Sequence, residues 1–251
     1  MKENDECSNL KNKYFQSYPI SGLLSNNIDK SNQELKRILK DYIESEDLLY
    51  YYIVNTLDFQ DGKILQKGSA PNFQGDVISL CACKHWMRTF QNIRETDNLW
   101  ITGLTGKNLI SQNEGNYLYY LMRVEKKYKS HHDAWKNLPE KVKNNKNASK
   151  NKFGDIIEPK SNIIDKYDSH SYKNPVKEHP HNKKDKTGNY AWYKDVTQYY
   201  KKPFVLLFGD PKYSFIWTKP RIKWSSKNLI TEGQRKIIMK EFFNKLNNKQ
   251  N

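Results

Sequence analysis

The sequence predicts an α+β protein, built on a small curved mixed β-sheet or a partly closed barrel of about six strands with flanking helices. Six segments have the composition or alternation of strands, at residues 48–57, 77–83, 99–104, 116–125, 203–208 and 213–217. Two segments, at residues 31–47 and 231–246, have the apolar spacing of amphipathic helices. The chain lacks Gly-x-Gly-x-x-Gly after a strand, a Walker-type Gly-Lys-Ser/Thr and Gly-x-Ser-x-Gly, so a doubly wound dinucleotide fold is not expected.

The first helix is expected to begin at Ser31, because Ser31 and Glu34 have the spacing of a capping box. One apolar stripe follows, made of Leu35, Ile38, Leu39, Tyr42 and Ile43. The polar residues 1–30 lack a sustained period and are expected to be an irregular lead-in.

Two further helices are predicted later in the chain. A brief one is expected from Ser130 through Trp135, ended by Pro139, with the Lys/Asn run that follows as a solvated loop. The closing helix is expected to start at Thr231, with Gln234 completing its cap. Its apolar face consists of Ile237, Ile238, Phe242 and Leu246.

The strand predicted at 77–83 matters most, because alternation would place Cys81 and Cys83 on one face and the aliphatic residues on the other. Residues 58–74 before it contain several turn signals and are expected to form a long loop. Gly209-Asp210-Pro211 predicts a turn between the last two strands.

The expected domain organisation has two parts. Residues 1–47 form an N-terminal arm and helix, and residues 48–251 form one α+β domain with a polar insertion at about 138–202 and a C-terminal helix. The 17 Tyr, 10 Phe and 6 Trp supply a core although only 36% of the residues are hydrophobic.

The formal net charge of +15 favours a polyanionic partner, and nucleic acid or a nucleotide, DNA foremost, is the expected one. The alternative is that the charge only keeps an interaction protein soluble. Three cysteines do not make a disulfide framework, and the N-terminus lacks the apolar core of a signal peptide. We therefore expect a cytoplasmic protein without a membrane span, and the sequence predicts no oligomeric state.

Several residues could carry chemistry. If the protein is an enzyme, the candidates for acid, base or nucleophile are Cys83, Lys84, Asp155 and His170. Cys81-x-Cys83-x-His85 with downstream histidines also suggests zinc, but ligands spaced along one strand do not converge, so no metal and no cofactor are expected.

Aromatic side chains could instead stack a nucleobase, although most of them are expected in the core. The base-binding candidates are Pro71, Asn72, Phe73, Trp86 and Trp100. The candidates for contacts with the nucleic-acid backbone are Lys84, Arg88, Lys107 and Arg123.

The run SAPNFQGDVISLCACKHWMR at 69–88 resembles the signature segment of the type-two nucleotide-modification-associated domain family. Further segments follow in the same order as in the family: DNLWITGLTGK, YLMRVEKKYKSHHDAW, FGDIIEP, SHS and FVLLFGDPKYSFIW. The resemblance covers about residues 48–224 and implies association with systems that install or handle modified bases in bacteria and their phages. Its strand pattern also resembles PUA- and EVE-like small barrels that hold a nucleobase.

The leading hypothesis from the sequence is therefore a module that recognises or handles modified nucleobases within a DNA-modification or defence system. The first alternative is a base-modifying enzyme that uses Cys83, Lys84, Asp155 and His170. The second is a basic protein-interaction domain. Whether the protein is an enzyme stays open at this point.

Overall fold

The structure, a computed structural model, describes residues 14–89, 98–111, 115–197, 204–224 and 234–247. Its strands are β1 (Leu48–Ile53), β2 (Leu57–Gln60), β3 (Lys63–Gln66), β4 (Ser79–Leu80), β5 (Leu99–Leu104), β6 (Leu118–Tyr128), β7 (Leu206–Ile216) and β8 (Gln234–Ile238). Its helices are α1 (Asn32–Leu39), α2 (His85–Thr89), α3 (His131–Asn137), α4 (Glu140–Lys146), α5 (Tyr193–Val196) and α6 (Met239–Asn247). Short 3₁₀ segments occur at Ser25–Asn27, Gln74–Asp76 and Ser169–Ser171. The predicted α+β class is confirmed.

Six of these strands form one mixed sheet in the order β4-β7-β6-β5-β1-β8. β1 lies parallel to β5, whereas β1 with β8, β5 with β6 and β4 with β7 are antiparallel. β2 and β3 pair only with each other among the described strands. Within the described part of the chain β4 and β8 are the two edges, so the sheet is open and does not close into a barrel.

The chain divides into two compact units. The first consists of Met1–Ile20, Gly68–Glu95 and Glu125–Phe208, and the second of Ser21–Lys67, Thr96–Val124 and Gly209–Asn251. The expected arm at 1–47 followed by a single domain from 48 stays a prediction.

The core of the second unit combines α1, α6 and the aromatic residues of the sheet. The Ser31–Glu34 capping box is present, with the Glu34 N–H donating to Ser31 Oγ at 3.2 Å and the Ser31 N–H donating to the Glu34 carboxylate at 2.8 Å. Leu35 and Leu39 are fully buried on this helix. The helix ends at Leu39, earlier than the predicted end near residue 47.

The segment predicted as a loop at 58–74 contains the hairpin of β2 and β3. Asp61 and Gly62 form its two-residue turn, with φ angles of 51° and 74°. An Asp-Gly pair in this conformation matches the twist of paired strands. The turn signal at Gly62 is visible in the sequence, but β2 and β3 are short and partly polar, so the sequence does not predict them as strands.

The turn predicted at Gly209-Asp210-Pro211 is wrong, because these residues lie inside the eleven-residue strand β7. β4 pairs only with Leu207 and Phe208 of this strand, and the next strand residue with a backbone bridge on that side among the described residues is Ile216, opposite Ile28. A proline is tolerated in a strand where no ladder hydrogen bond needs its missing N–H.

The closing helix was predicted to start too early. Residues 234–238 form β8, which pairs with β1, and α6 begins at Met239. Ile237 and Ile238 are therefore strand residues, while Phe242 and Leu246 are buried on the helix as predicted. Thr231 lies outside the described residues.

The first unit is built around a segment that looks polar in the sequence. The Lys/Asn run predicted as a solvated loop contains α4, and its last residue, Lys146, has no exposed surface. The brief helix predicted from Ser130 is confirmed as α3, which ends at Asn137, before Pro139, and Pro139 then directly precedes the first residue of α4, as its fixed φ allows. Further along, a small core forms from Ile157, Tyr172, Trp192 and Val196. None of the described helices combines the length and apolar character needed to span a membrane.

Candidate functional site

The predicted strand at 77–83 is correct only for Ser79 and Leu80. After them, the Cys81 N–H donates to the Asp155 carboxylate at 3.2 Å instead of to a neighbouring strand. Cys83 and Lys84 then adopt the left-handed conformation, with φ angles of 59° and 49°. Such angles are uncommon for residues other than glycine and tend to cluster at functional sites. Cys81 and Cys83 therefore do not share a strand face, and Cys83 stands at a sharp bend before α2.

The Asp195 carboxylate holds this bend in place. It accepts a hydrogen bond from the Cys83 N–H at 2.8 Å and lies 2.7 Å from His85 Nε2. Arg88 Nη2 lies 3.5 Å from the same carboxylate, and Arg88 Nε donates to the Cys83 carbonyl at 2.9 Å. Asp195 lies on the short helix α5 and is only 1% exposed. The buried Asp195 carboxylate thus fixes the backbone of Cys83.

His181 connects this carboxylate to the cysteine sulfur. Its Nδ1 lies 2.8 Å from Asp195 Oδ2, and its Nε2 lies 3.0 Å from Cys83 Sγ. Cys83 itself is partly exposed, and the His181 side chain is 19% exposed. Thiol, imidazole and carboxylate therefore form one hydrogen-bonded series that ends at a partly exposed cysteine. This is the arrangement in which a base activates a nucleophile and a third group orients the base.

The charges in this series support each other. Burial opposes the charge on His181, but the Asp195 carboxylate and the hydrogen bond to Cys83 outweigh it and raise the pKa of His181 to about 11. Burial likewise opposes the charge on Asp195, but His181 and then His85 hold the pKa of Asp195 well below its usual range. The pair is consequently an imidazolium and a carboxylate at neutral pH.

Two neutral histidines, His131 and His179, form hydrogen bonds with the backbone of Asp195 and His181. The Ile157 N–H donates to His131 Nδ1 at 3.1 Å, and His131 Nε2 donates to the Asp195 carbonyl at 3.0 Å. The His181 N–H donates to His179 Nδ1 at 3.1 Å. Burial lowers the pKa of both His131 and His179 to about 4. Each therefore stays neutral and positions the backbone of one member of the series.

His179 is in turn fixed by a close backbone approach. Its Nε2 donates to the Gly154 carbonyl at 2.8 Å. A Cβ built on Gly154 would lie 2.4 Å from the Ala148 backbone nitrogen, so only glycine fits there.

A second polar cluster, centred on Asp155, lies entirely inside the first unit. Lys146 Nζ donates to Asn72 Oδ1 and to Ser79 Oγ, both at 2.7 Å, and Ser79 Oγ donates to Asp155 Oδ2 at 2.7 Å. Burial raises the pKa of Asp155 and lowers that of Lys146 to about 8, while the two charges oppose these shifts. Burial, reinforced by Asp155, raises the pKa of Cys81 well above its ordinary value. Cys81, with no exposed surface, is thus held as a neutral thiol.

The model of the nucleotide modification associated domain 2 family matches residues 48–202, more than half of the chain. The chain belongs to this family. Both polar clusters lie within the matched residues, and the resemblance noted in the sequence is confirmed. Comparison with curated proteins and with solved structures gave no match.

The structure separates the four catalytic candidates that the sequence of this family member suggested. Cys83 and Lys84 lie together at the bend, and burial lowers the pKa of the half-buried Lys84. Asp155 lies in the enclosed second cluster. His170 is exposed, pairs with Asp168 at 2.9 Å and contacts the Tyr193 ring, so it belongs to neither cluster.

Most of the predicted base-binding residues are buried. Pro71, Asn72 and Phe73 belong to a loop whose backbone is bound by the Gln16 amide, and the Phe73 ring stacks on Tyr18. Trp100 has no exposed surface and donates to Asp47 at 2.7 Å. A ring without exposed surface cannot stack a base in this conformation, so Trp100 is a core residue. The side chain of Trp86 on α2 lies outside the described part of the structure.

The four residues predicted to contact the nucleic-acid backbone also lie in different places. Arg88 has no exposed surface and donates to the Cys83 carbonyl at the bend, and its predicted contact with phosphate stays a prediction. Lys84 and Lys107 are half-buried, in the first and second units respectively. Arg123 is half-buried in the second unit, where it donates to Asn98 at 3.2 Å and lies over the Tyr213 ring.

Sequence reasoning missed the two partners of Cys83. In the sequence His181 stands out only as one of the downstream histidines of the zinc pattern, and no pattern singles out Asp195. Among the described residues no group of three or more His, Cys, Asp or Glu side chains has the geometry to hold a metal. The available signal was the concentration of His and Asp residues in a segment that has little periodicity, since such residues need a structural or chemical reason to be buried.

Proposed function

We propose that this chain acts in nucleotide modification as a cysteine-dependent enzyme. In this proposal Cys83 is the nucleophile, His181 exchanges the proton and Asp195 orients and charges His181. The contacts of 3.0 Å between Cys83 Sγ and His181 Nε2 and 2.8 Å between His181 Nδ1 and Asp195 Oδ2 carry the proposal. Partial exposure of Cys83 gives a substrate access to the sulfur.

The proposed reaction is transfer or hydrolysis at a carbonyl carbon. The thiolate forms an S–C bond, the bond from that carbon to its nitrogen or oxygen leaving atom breaks, and His181 delivers its proton to the leaving atom. Water then adds to the thioester, gives a proton back to His181 and releases the acid and the thiolate. The proton on His181 Nε2 lies close to the sulfur, so it can reach a leaving atom that is bonded to the attacked carbon. Conjugate addition to a pyrimidine ring would instead need a proton at a more distant atom.

The proposed substrate is a nucleotide or nucleic acid, DNA foremost, that carries a modified base. Membership of the family and the net charge of +15 support this class of substrate. A bacterial or phage DNA-modification or defence system is the proposed setting, and the cytoplasm is the proposed compartment, where the free thiols Cys81 and Cys83 stay reduced.

The acyl step is tested with p-nitrophenyl acetate, a small carbonyl electrophile. Wild-type protein is expected to gain one acetyl group, located on Cys83 by peptide mass spectrometry, and Cys83→Ala is expected not to gain it. Cys81→Ala is the matched control, since it removes a thiol two residues away and should leave the label unchanged. Acetylation that is equal in Cys83→Ala and wild type would contradict the proposal.

The substrate class is tested by mass spectrometry of nucleosides from bacterial or phage DNA treated with wild type or with Cys83→Ala. A nucleoside that appears or disappears only with wild type is the expected result. If DNA binds but neither acetylation of Cys83 nor any change in nucleosides occurs, the protein recognises modified bases without chemistry.

A further inference from the structure

The second unit has a basic groove that plays no part in the Cys83 site. It is lined by Lys36, Arg37, Lys40, Ile43, Lys240, Phe243 and Asn244, which come from α1, the turn after it and α6. Its volume is about 580 Å³, in the range of sites that hold small organic ligands. We call it the α1/α6 groove.

The cations of this groove are not neutralised by the fold. Among the described residues Lys36, Arg37 and Lys240 make no ion pair, and Lys40 approaches only the exposed Asp41, at 4.0 Å. An exposed pair at that distance contributes little. Among the described residues that line the groove none is acidic. Four positive charges thus face one concavity, an arrangement that attracts a chain of phosphates.

The floor of the α1/α6 groove is apolar. Ile43 and Phe243 are partly buried and pack against the core of the second unit. Their anchoring keeps them inside the concavity, whereas a membrane-binding surface needs apolar side chains that project outward. An aromatic ring on the floor with cations on the walls is the combination that binds unpaired bases and their backbone. The amide of Asn244, exposed at the rim, can hydrogen-bond to a base edge.

We infer that the α1/α6 groove binds a single-stranded segment of nucleic acid, with phosphates on Lys36, Arg37, Lys40 and Lys240 and a base against Phe243. The inference rests on the proposed function for the kind of polyanion, and it names a binding surface separate from the residues that carry the chemistry. It also accounts for cations on α1 and α6, Lys36, Arg37 and Lys240, that make no ion pair with any described residue.

The test measures binding of a fluorescein-labelled oligothymidine by anisotropy over a range of salt concentrations. The groove variant Lys36→Gln/Arg37→Gln/Lys240→Gln is expected to weaken binding at least ten-fold at moderate salt, and to reduce the slope of log K against log salt by about 2. The matched control is Lys63→Gln/Lys219→Gln/Arg221→Gln, which removes the same charges from exposed positions of the same unit. Equal weakening by both variants would overturn the inference, because the charge would then act without a site.

A single substitution tests the base contact. Phe243→Leu keeps an apolar side chain against the core and is expected to weaken binding of oligothymidine about ten-fold, but not to change the salt slope. Unchanged binding by Phe243→Leu would overturn the role of the ring.

Two further measurements distinguish this inference from its alternatives. The first measures binding to phosphatidylserine vesicles. If the groove variant binds these vesicles less well than wild type but binds oligothymidine equally well, the groove binds lipid instead. The second compares the two sites. Cys83→Ala is expected to bind oligothymidine like wild type, and Cys83 of the groove variant is expected to be acetylated by p-nitrophenyl acetate as fast as in wild type. Failure of the groove and failure of the Cys83 proposal are therefore distinguishable.

Discussion

Cys81 and Cys83 are two residues apart, yet they belong to opposite kinds of polar cluster. Cys81 lies against a buried carboxylate, Asp155, that raises its pKa, and it has no exposed surface. Cys83 is partly exposed and meets an imidazole that another buried carboxylate, Asp195, keeps charged. The difference lies in whether a histidine stands between the thiol and the carboxylate.

The comparison also separates structural from chemical use of a buried charge. In the Asp155 cluster a lysine, a serine and an asparagine satisfy each other inside the unit, which fixes the loop before β4 against α4. In the Asp195 cluster the same type of carboxylate fixes a left-handed bend and leaves Cys83 partly exposed. Buried ionic groups that are fully enclosed specify structure, whereas those with one accessible member can act on a ligand.

The largest expected difference is in thiol reactivity. Under native conditions iodoacetamide should alkylate Cys83 at least about a hundred-fold faster than Cys81, because only the first is accessible and paired with an imidazolium. Peptide mass spectrometry after timed quenching measures both rates in one sample and resolves Cys7 separately. Denaturation in urea should bring the two rates close together. Comparable native rates would remove the basis of the comparison.

Neutralising Asp195 should slow acetylation of Cys83 far more than neutralising Asp155. Asp195→Asn should slow acetylation of Cys83 about a hundred-fold or more, since the amide cannot hold His181 in its charged state. Asp155→Asn keeps the hydrogen-bond acceptor for Ser79 and should change that rate less than about three-fold, because Asp155 reaches Cys83 only through the backbone. Equal slowing by both variants would show that the clusters act as one unit.

Removing the lysine of the enclosed cluster should affect stability instead of chemistry. Lys146→Met leaves the buried Asp155 without its nearby cation and the Asn72 side chain without a donor, and should lower the free energy of unfolding by about 3 kcal/mol. Urea unfolding followed by tryptophan fluorescence provides the measurement. The double variant Lys146→Met/Asp155→Asn should regain part of the loss. A single variant as stable as wild type would show that the Asp155 cluster is dispensable.

The histidines predict the pH dependence of stability, with opposite signs on the two sides of neutrality. The pKa values of His131 and His179 are lowered to about 4, so the unfolded chain takes up their protons first, and stability present above pH 6.5 is lost as the pH falls towards 4. Each contributes up to about 3 kcal/mol to this loss. The pKa of His181 is raised to about 11, so its contribution is complete below pH 6.5 and is lost as the pH rises towards 11.

Unfolding in urea at intervals between pH 4 and pH 10 tests both limbs. His131→Gln should flatten the acid limb and His181→Gln the alkaline limb. If His131→Gln flattened the alkaline limb, the neutral state assigned to His131 would be wrong.

The sequence predicted the α+β class, the capping box at Ser31 and the buried face of α6, because these depend on local spacing. It did not predict the end of β4, since nothing near Cys81 indicates that Asp155, far along the chain, will accept its N–H. The site was half predicted: Cys83 stood out, but its partners come from a segment whose order depends on buried polar contacts, which leave no periodic pattern. Strand alternation even pointed the wrong way, because it gave the two cysteines one face and therefore one role.

The smallest expected effect concerns His170, which the sequence predicts as a catalytic candidate beside Cys83, Lys84 and Asp155. His170→Gln should leave acetylation of Cys83 within about two-fold of wild type, because the exposed ring meets Asp168 and Tyr193 and makes no contact with the Asp195 cluster. His181→Gln keeps a side chain of similar reach but removes the ionisable ring, and should slow the same reaction about a hundred-fold or more. Both histidines lie in the same polar segment, so a general disturbance of that segment would lower both rates together. A loss in His170→Gln as large as that in His181→Gln would mean that the order of the segment, and not the series from Asp195 to Cys83, determines the reactivity of the thiol.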